Sequence, residues 1–276
     1  LINSSMQDLT QILGGMDYPG RGIVAGRNDL GHNVFAYFLT GRSPSSKARM
    51  LKVGPNTGVI STECTDPKQL ETGSRALLIY PAIIPSAKGV VMSNGSQTNL
   101  LHSFLESGEN LVGGDSSFHS LKSKLVLLNA FEKPNFLYDA QKDRSINQTS
   151  YEPDVPNNTP RINLVALRNG GCFHHVFKNT LDRAEQRFYP FDFVNGQARL
   201  LTTYTGENIE PLPSFTSEPV LSSIKCLRTV AQTADAIYGA LNSNYRIAAA
   251  AIHVDPQNGK IVDRHIINPA RDADRL

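Results

Sequence analysis

The chain has 276 residues, 40% of them hydrophobic, enough to bury one substantial core without disulfide or metal staples. Its 27 basic and 25 acidic residues leave a formal net charge of +2, too balanced by itself to imply a nucleic-acid or membrane surface, and neither partner is expected. Three scattered cysteines, Cys64, Cys172 and Cys226, give neither a disulfide framework nor a zinc spacing, and a reducing cytoplasm is the expectation.

No apolar run reaches the roughly 20 residues of a membrane span, and the first residues lack a basic-then-apolar signal. Leu1 to Ser5 precede Met6 and are set aside as foreign to the domain. Gly22-Ile23-Val24-Ala25-Gly26 and Val34-Phe35-Ala36-Tyr37-Phe38-Leu39 are apolar runs parted by Asn28-Asp29-Leu30-Gly31, which predicts a β-hairpin. Further strands are expected at 50–53, 76–84 and 89–93. From Thr98, Leu100, Leu101, Phe104 and Leu105 recur at helical spacing, with Gly108 as the stop.

Residues 120–131 read as helix or strand, and 133–158 is polar with three prolines. The stretch 113–158 is therefore taken as a long loop or insertion over the core. Strands resume at 161–167, 172–177 and 198–204. Val220 to Leu241 reads as one amphipathic helix, with Leu221, Ile224, Leu227, Val230, Ala234, Ile237 and Leu241 on one face. Two last strands, 247–254 and 261–267, are joined by the turn Asp255-Pro256-Gln257-Asn258-Gly259. Strands in blocks, without strict helix alternation, predict an α+β fold with mostly antiparallel sheets in a single domain over 1–276.

The common nucleotide-loop, serine-hydrolase and zinc-protease motifs are absent. His174 and His175 are adjacent, so on a strand they face opposite sides and cannot share a metal. No metal site and no cofactor are expected. Short polar clusters at strand ends stand out instead. Gly26-Arg27-Asn28 follows the first strand of the hairpin, and Gly41-Arg42-Ser43, with Lys47 and Arg49, follows the second. Arg27 and Arg42 then lie at opposite hairpin ends. The group Arg42, Ser43, Lys47 and Arg49 suits a phosphate grip, or equally a solvated basic turn. Ser93-Asn94-Gly95-Ser96-Gln97-Thr98 marks a strand-to-helix transition that can bind a polar ligand or simply cap the helix. Tyr151-Glu152 with Thr159-Pro160-Arg161, and Thr202-Thr203-Tyr204, complete the set.

In series, these clusters resemble the archaeal-type IMP cyclohydrolase family. The resemblance is dense over residues 19–99, through Gly22 to Asn28, Ala36-Tyr37, Gly41-Arg42-Ser43, Tyr80 and Val91 to Thr98. It returns around 151–167 with Tyr151-Glu152 and Thr159-Pro160-Arg161-Ile162, and thins after 168. The spacing departs from the family by a longer segment before Tyr151 and one extra residue between Glu152 and Thr159.

The resemblance implies a four-layer αββα sandwich similar to N-terminal-nucleophile hydrolases. It implies a cytoplasmic, cofactor-independent cyclohydrolase of purine biosynthesis, acting on a small purine nucleotide and forming a homo-oligomer. Its reaction is the dehydrative closure of 5-formamidoimidazole-4-carboxamide ribonucleotide to IMP. By residue, it points to Tyr80 and Glu152 nearest the chemistry, as proton donor and acceptor in either order. Arg27, Asn28, Asn94, Gly95, Arg161 and Tyr204 are expected around base and ribose, and Arg42, Ser43, Lys47 and Arg49 around the 5′-phosphate. Two other functions remain open: an amide hydrolase on the same fold, which needs a nucleophile exposed by processing, and a purine-nucleotide-binding protein without catalysis.

Overall fold

A computed structural model describes residues 6–55, 57–107 and 119–268. Gly108 and 113–118, part of the expected helix stop and insertion, lie outside the described residues, as do Leu1 to Ser5. The first third holds α1 (Leu9–Gly14), β1 (Arg21–Arg27), β2 (Asn33–Thr40), α2 (Pro44–Lys47), β3 (Arg49–Val53), β4 (Ile60–Cys64), α3 (Pro67–Leu70) and α4 (Arg75–Leu78). Next come β5 (Pro81–Pro85), β6 (Val90–Ser93), α5 (Gln97–Ser107), α6 (His119–Phe131), β7 (Phe136–Asp139) and β8 (Arg144–Asn147). The rest comprises β9 (Arg161–Ala166), β10 (Gly170–Lys178), β11 (Ala184–Asp192), β12 (Gln197–Thr202), β13 (Val220–Ser223), α7 (Val230–Ala240), β14 (Arg246–Val254) and β15 (Ile261–Ile267).

The strands form a six-stranded sheet, β13-β12-β1-β2-β14-β15, and a seven-stranded sheet, β11-β10-β9-β6-β5-β4-β3, with β7-β8 as a separate hairpin. All of these strand pairings are antiparallel. The fold is thus mixed α and β with antiparallel sheets.

The period-two alternation of each strand decides which face it serves. In β1 and β2, Ile23, Phe35, Tyr37 and Leu39 join Ile83, Met92, Leu164 and Phe173 of the seven-stranded sheet in one apolar cluster. Their neighbours Val24, Ala36 and Phe38 point the other way, onto Leu9 and Leu13 of α1 and Val230, Ala234 and Ile237 of α7. On the seven-stranded sheet, Val91, Val165 and Cys172 pack against Leu101 and Leu105 of α5 and Val126, Leu127 and Ala130 of α6. Both faces of these strands are buried, which is why they read as continuous apolar runs rather than alternating ones. Gly22 is required here, since a Cβ would sit 2.1 Å from the Phe38 ring.

Several expectations are corrected. The strand expected over 76–84 is the helical turn α4 followed by β5, with Tyr80 between them. The helix expected over Val220 to Leu241 is strand β13, a turn, and α7. Ile224 and Leu227 keep helical spacing because they pack on the same apolar cluster as α7, while Leu221 on β13 faces solvent. The region 133–158 is not all loop: it carries the β7–β8 hairpin, whose Phe136 and Tyr138 are exposed and so show no core-facing pattern. Residues 120–131 are helical. The strand expected over 198–204 ends at Thr202. Strands β4 and β11 had no apolar signature, β11 being a largely exposed edge. Among the described residues, no helix is long and apolar enough to cross a membrane.

Candidate functional site

Antiparallel pairing sets Arg21 opposite Leu39, so β1 begins and β2 ends at the same end of the molecule. The turn after β2, the loop entering β9 and the exit of β12 gather there. They enclose a cleft of about 550 Å³, lined by Arg21, Arg42, Arg49, Asp154, Thr159 and Tyr204 among others. That volume lies within the range of small-molecule sites, about 300–1,000 Å³.

Arg21 is the central cation. Its Nη1 and Nη2 donate to Glu152 Oε1 at 3.1 Å and Oε2 at 3.0 Å, and Nη1 also donates to the Asn94 carbonyl at 3.2 Å. Burial opposes its charge, but Glu152, then Tyr80, Tyr37 and Tyr204, outweigh that and hold Arg21 well above the ordinary guanidinium range. Arg161, fully buried, lies 3.8 Å from Glu152 Oε1. It donates through Nε to the Ser150 carbonyl at 2.6 Å and through Nη1 to Gln97 Oε1 at 2.8 Å. A fork-to-fork Arg–carboxylate pair of this kind fixes geometry as well as charge.

Tyr37 and Tyr80 share a hydroxyl–hydroxyl hydrogen bond of 2.9 Å inside the core. Burial and then Tyr80 push the Tyr37 phenol well up, with Arg21 and Arg49 pulling the other way. Asp154 accepts from Thr159 N at 2.7 Å and from Thr159 Oγ1, which is itself 2.6 Å from the Tyr204 hydroxyl. A carboxylate only accepts, so the Thr159 proton points to Asp154 and Tyr204 donates to Thr159. Burial, then Asp154, raise the Tyr204 phenol above its ordinary value.

Two arginines form the outer wall. Arg42 donates to Asn208 Oδ1 at 2.9 Å and pairs with Glu210 at 2.6 Å. Arg49 donates from Nε to the Ser46 carbonyl at 2.9 Å, while its buried Nη1 has no hydrogen-bond partner. An unsatisfied buried guanidinium nitrogen is costly, and its placement on a cleft wall suits an incoming anion.

The expected residues therefore separate. Arg42, Ser43, Arg49 and Tyr204 line the cleft. Glu152, Tyr80, Asn94, Gly95 and Arg161 lie behind it. Asn94 donates from Nδ2 to the Pro160 carbonyl at 2.8 Å and accepts from Ile162 N at 2.9 Å, pinning β6 to β9. A Cβ on Gly95 would meet Gln97 Oε1 at 2.4 Å and Arg161 Nη1 at 2.7 Å, so this glycine makes room for the arginine. Lys47 is exposed and does not line the cleft, and the Ser43 hydroxyl accepts from Ser46 N to cap α2.

Arg27 and Asn28 are at the far end of the hairpin. Arg27 donates to Asn33 Oδ1 at 2.9 Å and to the Arg168 carbonyl at 3.0 Å. Asn28 accepts from Leu30 N at 3.1 Å and His32 N at 3.0 Å, which shapes the turn. A cavity at that end, lined by Asn33 and Arg168, holds about 20 Å³, too little for a nucleotide. His174 and His175 face opposite sides of β10, the first against Phe131 and Phe188, the second against Phe177 and Phe215. Among the described residues no cluster of three or more His, Cys, Asp or Glu is placed to hold a metal ion.

Sequence reasoning gave no role to Arg21, Tyr37 or Asp154. Arg21 sits between Gly20 and Gly22, just ahead of the apolar run that predicts the strand; only its partner Glu152 reveals it. Asp154 carried a signal in the Glu152-Pro153-Asp154 sequence, two carboxylates entering one strand.

No curated protein matches the chain. Two solved structures align over most of its length at low similarity. Anbu from Hyphomicrobium sp. strain MC1 is 10% identical with a TM-score of 0.36, covering 92% of this chain and 90% of that one. The Gly-1 mutant of the same Anbu is 10% identical with a TM-score of 0.33, covering 93% and 91%. Residues 18–123, which supply Arg21, Arg42 and Arg49 of the cleft as well as Tyr37, Tyr80 and Asn94 behind it, match the model of the IMP cyclohydrolase-like protein family.

Proposed function

We propose that the chain is an IMP cyclohydrolase that closes 5-formamidoimidazole-4-carboxamide ribonucleotide to IMP with loss of water. The observation that carries this reading is the cleft with three arginines, whose cationic wall falls within the stretch that matches the IMP cyclohydrolase-like family. The two sheets with helices on their outer faces agree with the four-layer αββα arrangement that the resemblance implies.

The reaction joins two groups on one imidazole ring, so the protein's main task is to hold them in the attacking rotamer. In this reading Arg42 and Arg49 take the 5′-phosphate, with the unpaired Nη1 of Arg49 as the buried contact. Arg21, fixed by Glu152, faces the reacting groups and stabilises the oxygen of the formyl carbon as it gains charge. Tyr80, hydrogen-bonded to Tyr37 near Arg21, supports that same charge from behind. Glu152, Asn94 and Arg161 keep this frame rigid.

The test is absorbance-monitored conversion of the formylated ribonucleotide by purified protein with a chelator present. Formation of IMP is the expected result, and turnover under chelation shows that no metal is needed. Tight IMP binding without turnover replaces the enzyme reading with a nucleotide-binding protein, and neither binding nor turnover overturns both.

A further inference from the structure

The carboxylates around the cleft differ in what each is free to do. Glu152 commits both oxygens to Arg21 and is not among the residues lining the cleft. Glu210 is exposed and paired with Arg42. Asp154 lines the main cleft and also an adjoining one of about 420 Å³, the two meeting along Ser46, Leu78 and Asp154. Both its oxygens accept from Thr159, Oδ1 from the backbone N and Oδ2 from the hydroxyl that Tyr204 holds in turn, which orients the carboxylate on the cleft wall and leaves each oxygen a further lone pair.

We propose that Asp154 is the catalytic residue that takes the proton from the substrate's carboxamide nitrogen and returns it to the departing hydroxyl, an assignment that rests on the ring-closure reading above. In the first step the nitrogen forms the new C–N bond as the formyl C=O electron pair moves onto oxygen. Asp154 accepts one carboxamide proton, while Arg21 carries the oxygen's charge until solvent protonates it. In the second step Asp154 gives its proton to that hydroxyl, the C–O bond breaks and water leaves. The formamide N–H proton goes to solvent as the C=N bond forms. Each proton taken is matched by one returned.

The surroundings suit that cycle. Burial, then the neighbouring Glu152 charge, push Asp154 up to about 6, against the Thr159 hydrogen bonds and Arg21, which favour the ionised form. Arg161 and Tyr204 also face it from behind, and Arg42, Arg49 and Glu210 line the main cleft with it. Lys142 and Arg144 reach the adjoining cleft from the β7–β8 hairpin. A base poised near the working pH is what efficient proton transfer needs. The Asp154 carbonyl also accepts from Asn157 N at 3.0 Å, a turn contact that a side-chain amide leaves intact.

The deciding experiment is the pH profile of kcat and kcat/KM for the wild type, Asp154→Asn and Asp154→Ala, with melting curves to confirm folding. The wild-type kcat/KM is expected to fall below about pH 6, where Asp154 takes up its proton. D154N should lose about 100-fold or more in kcat, with KM within about threefold and no limb near pH 6. Added formate should restore part of the rate to D154A, which a purely structural role does not predict. A D154N rate within about threefold of wild type, or a persisting limb, overturns the assignment while leaving ring closure standing. If D154N does not fold, a wild-type profile flat between about pH 5 and 7 overturns it alone. Absence of wild-type turnover removes the ring-closure reading and the assignment together.

Discussion

Arg21 on β1 and Glu152 on the loop into β9 are 131 residues apart in sequence and meet in a two-point ion pair of 3.1 and 3.0 Å. β1 belongs to the six-stranded sheet and β9 to the seven-stranded one, so the pair ties one sheet to the other at the cleft. Removing one partner of a buried pair leaves a charge without compensation, which costs about 3–5 kcal/mol. Glu152→Ala strands Arg21 and Arg161 together and is expected to destabilise by that amount, seen as a lower urea midpoint. An unchanged midpoint sinks the view that Glu152 is the anchor of this frame.

Arg49 and Lys47 offer a contrast two residues apart. A hydrogen bond to a charged group contributes about 1.5–3 kcal/mol, or roughly 10- to 100-fold in affinity. Arg49→Ala is therefore expected to weaken IMP binding by that factor in a calorimetric titration. Lys47→Ala, on an exposed side chain away from the cleft, should stay within about twofold. Equal losses for both variants place the phosphate elsewhere.

Burial pushes His174 and His175 down to about 3 and His253 to about 4. Below an unfolded value of about 6.5, the unfolded chain takes up protons that these folded imidazoles refuse. Their contribution is complete above that pH and is lost as pH falls toward the folded values. Asp154, raised to about 6, runs the opposite way between about 6 and 4, but one carboxylate does not offset three imidazoles. Urea midpoints are expected to fall steeply from about pH 7 to about pH 4.5. Neither ring nitrogen of His175 has a hydrogen-bond partner, so His175→Leu should be neutral or stabilising by about 1 kcal/mol at pH 7 and should flatten this slope. A steeper slope in the variant contradicts this account.

The apolar runs of β1, β2, β9, β10 and β14 were legible because burial on both faces leaves little but hydrophobic residues. What burial did not mark was missed. Edge strand β11 carries Glu185, Gln186 and Arg187 in a row and is largely exposed, so its ladder with β10, with the scattered contacts of His174 to Gln186 and Phe188, leaves no apolar run in the sequence. The stripe from Val220 to Leu241 kept three- and four-residue spacing through a change of structure, since Ile224 and Leu227 in the turn pack on the same apolar cluster as α7, while Leu221 on edge strand β13 fits the spacing only by coincidence. In the site, Arg42, Arg49 and Tyr204 announced themselves at strand ends, whereas Arg21 needed a partner 131 residues away. The resemblance to a family located the cluster, but it did not separate residues that face the cleft from those that brace it.

The sheet-spanning clasp makes the cleft a product of the finished molecule, since Arg21 and Arg42 come from the six-stranded sheet while Arg49 and the loop bearing Glu152 and Asp154 belong to the seven-stranded one. Any small molecule that seats there binds only the folded chain and so acts as a thermodynamic lock on it. Saturation to about one hundred times Kd adds roughly 2.7 kcal/mol to the unfolding free energy. A nucleotide library can then be ranked by heat resistance alone, with no chemical turnover observed.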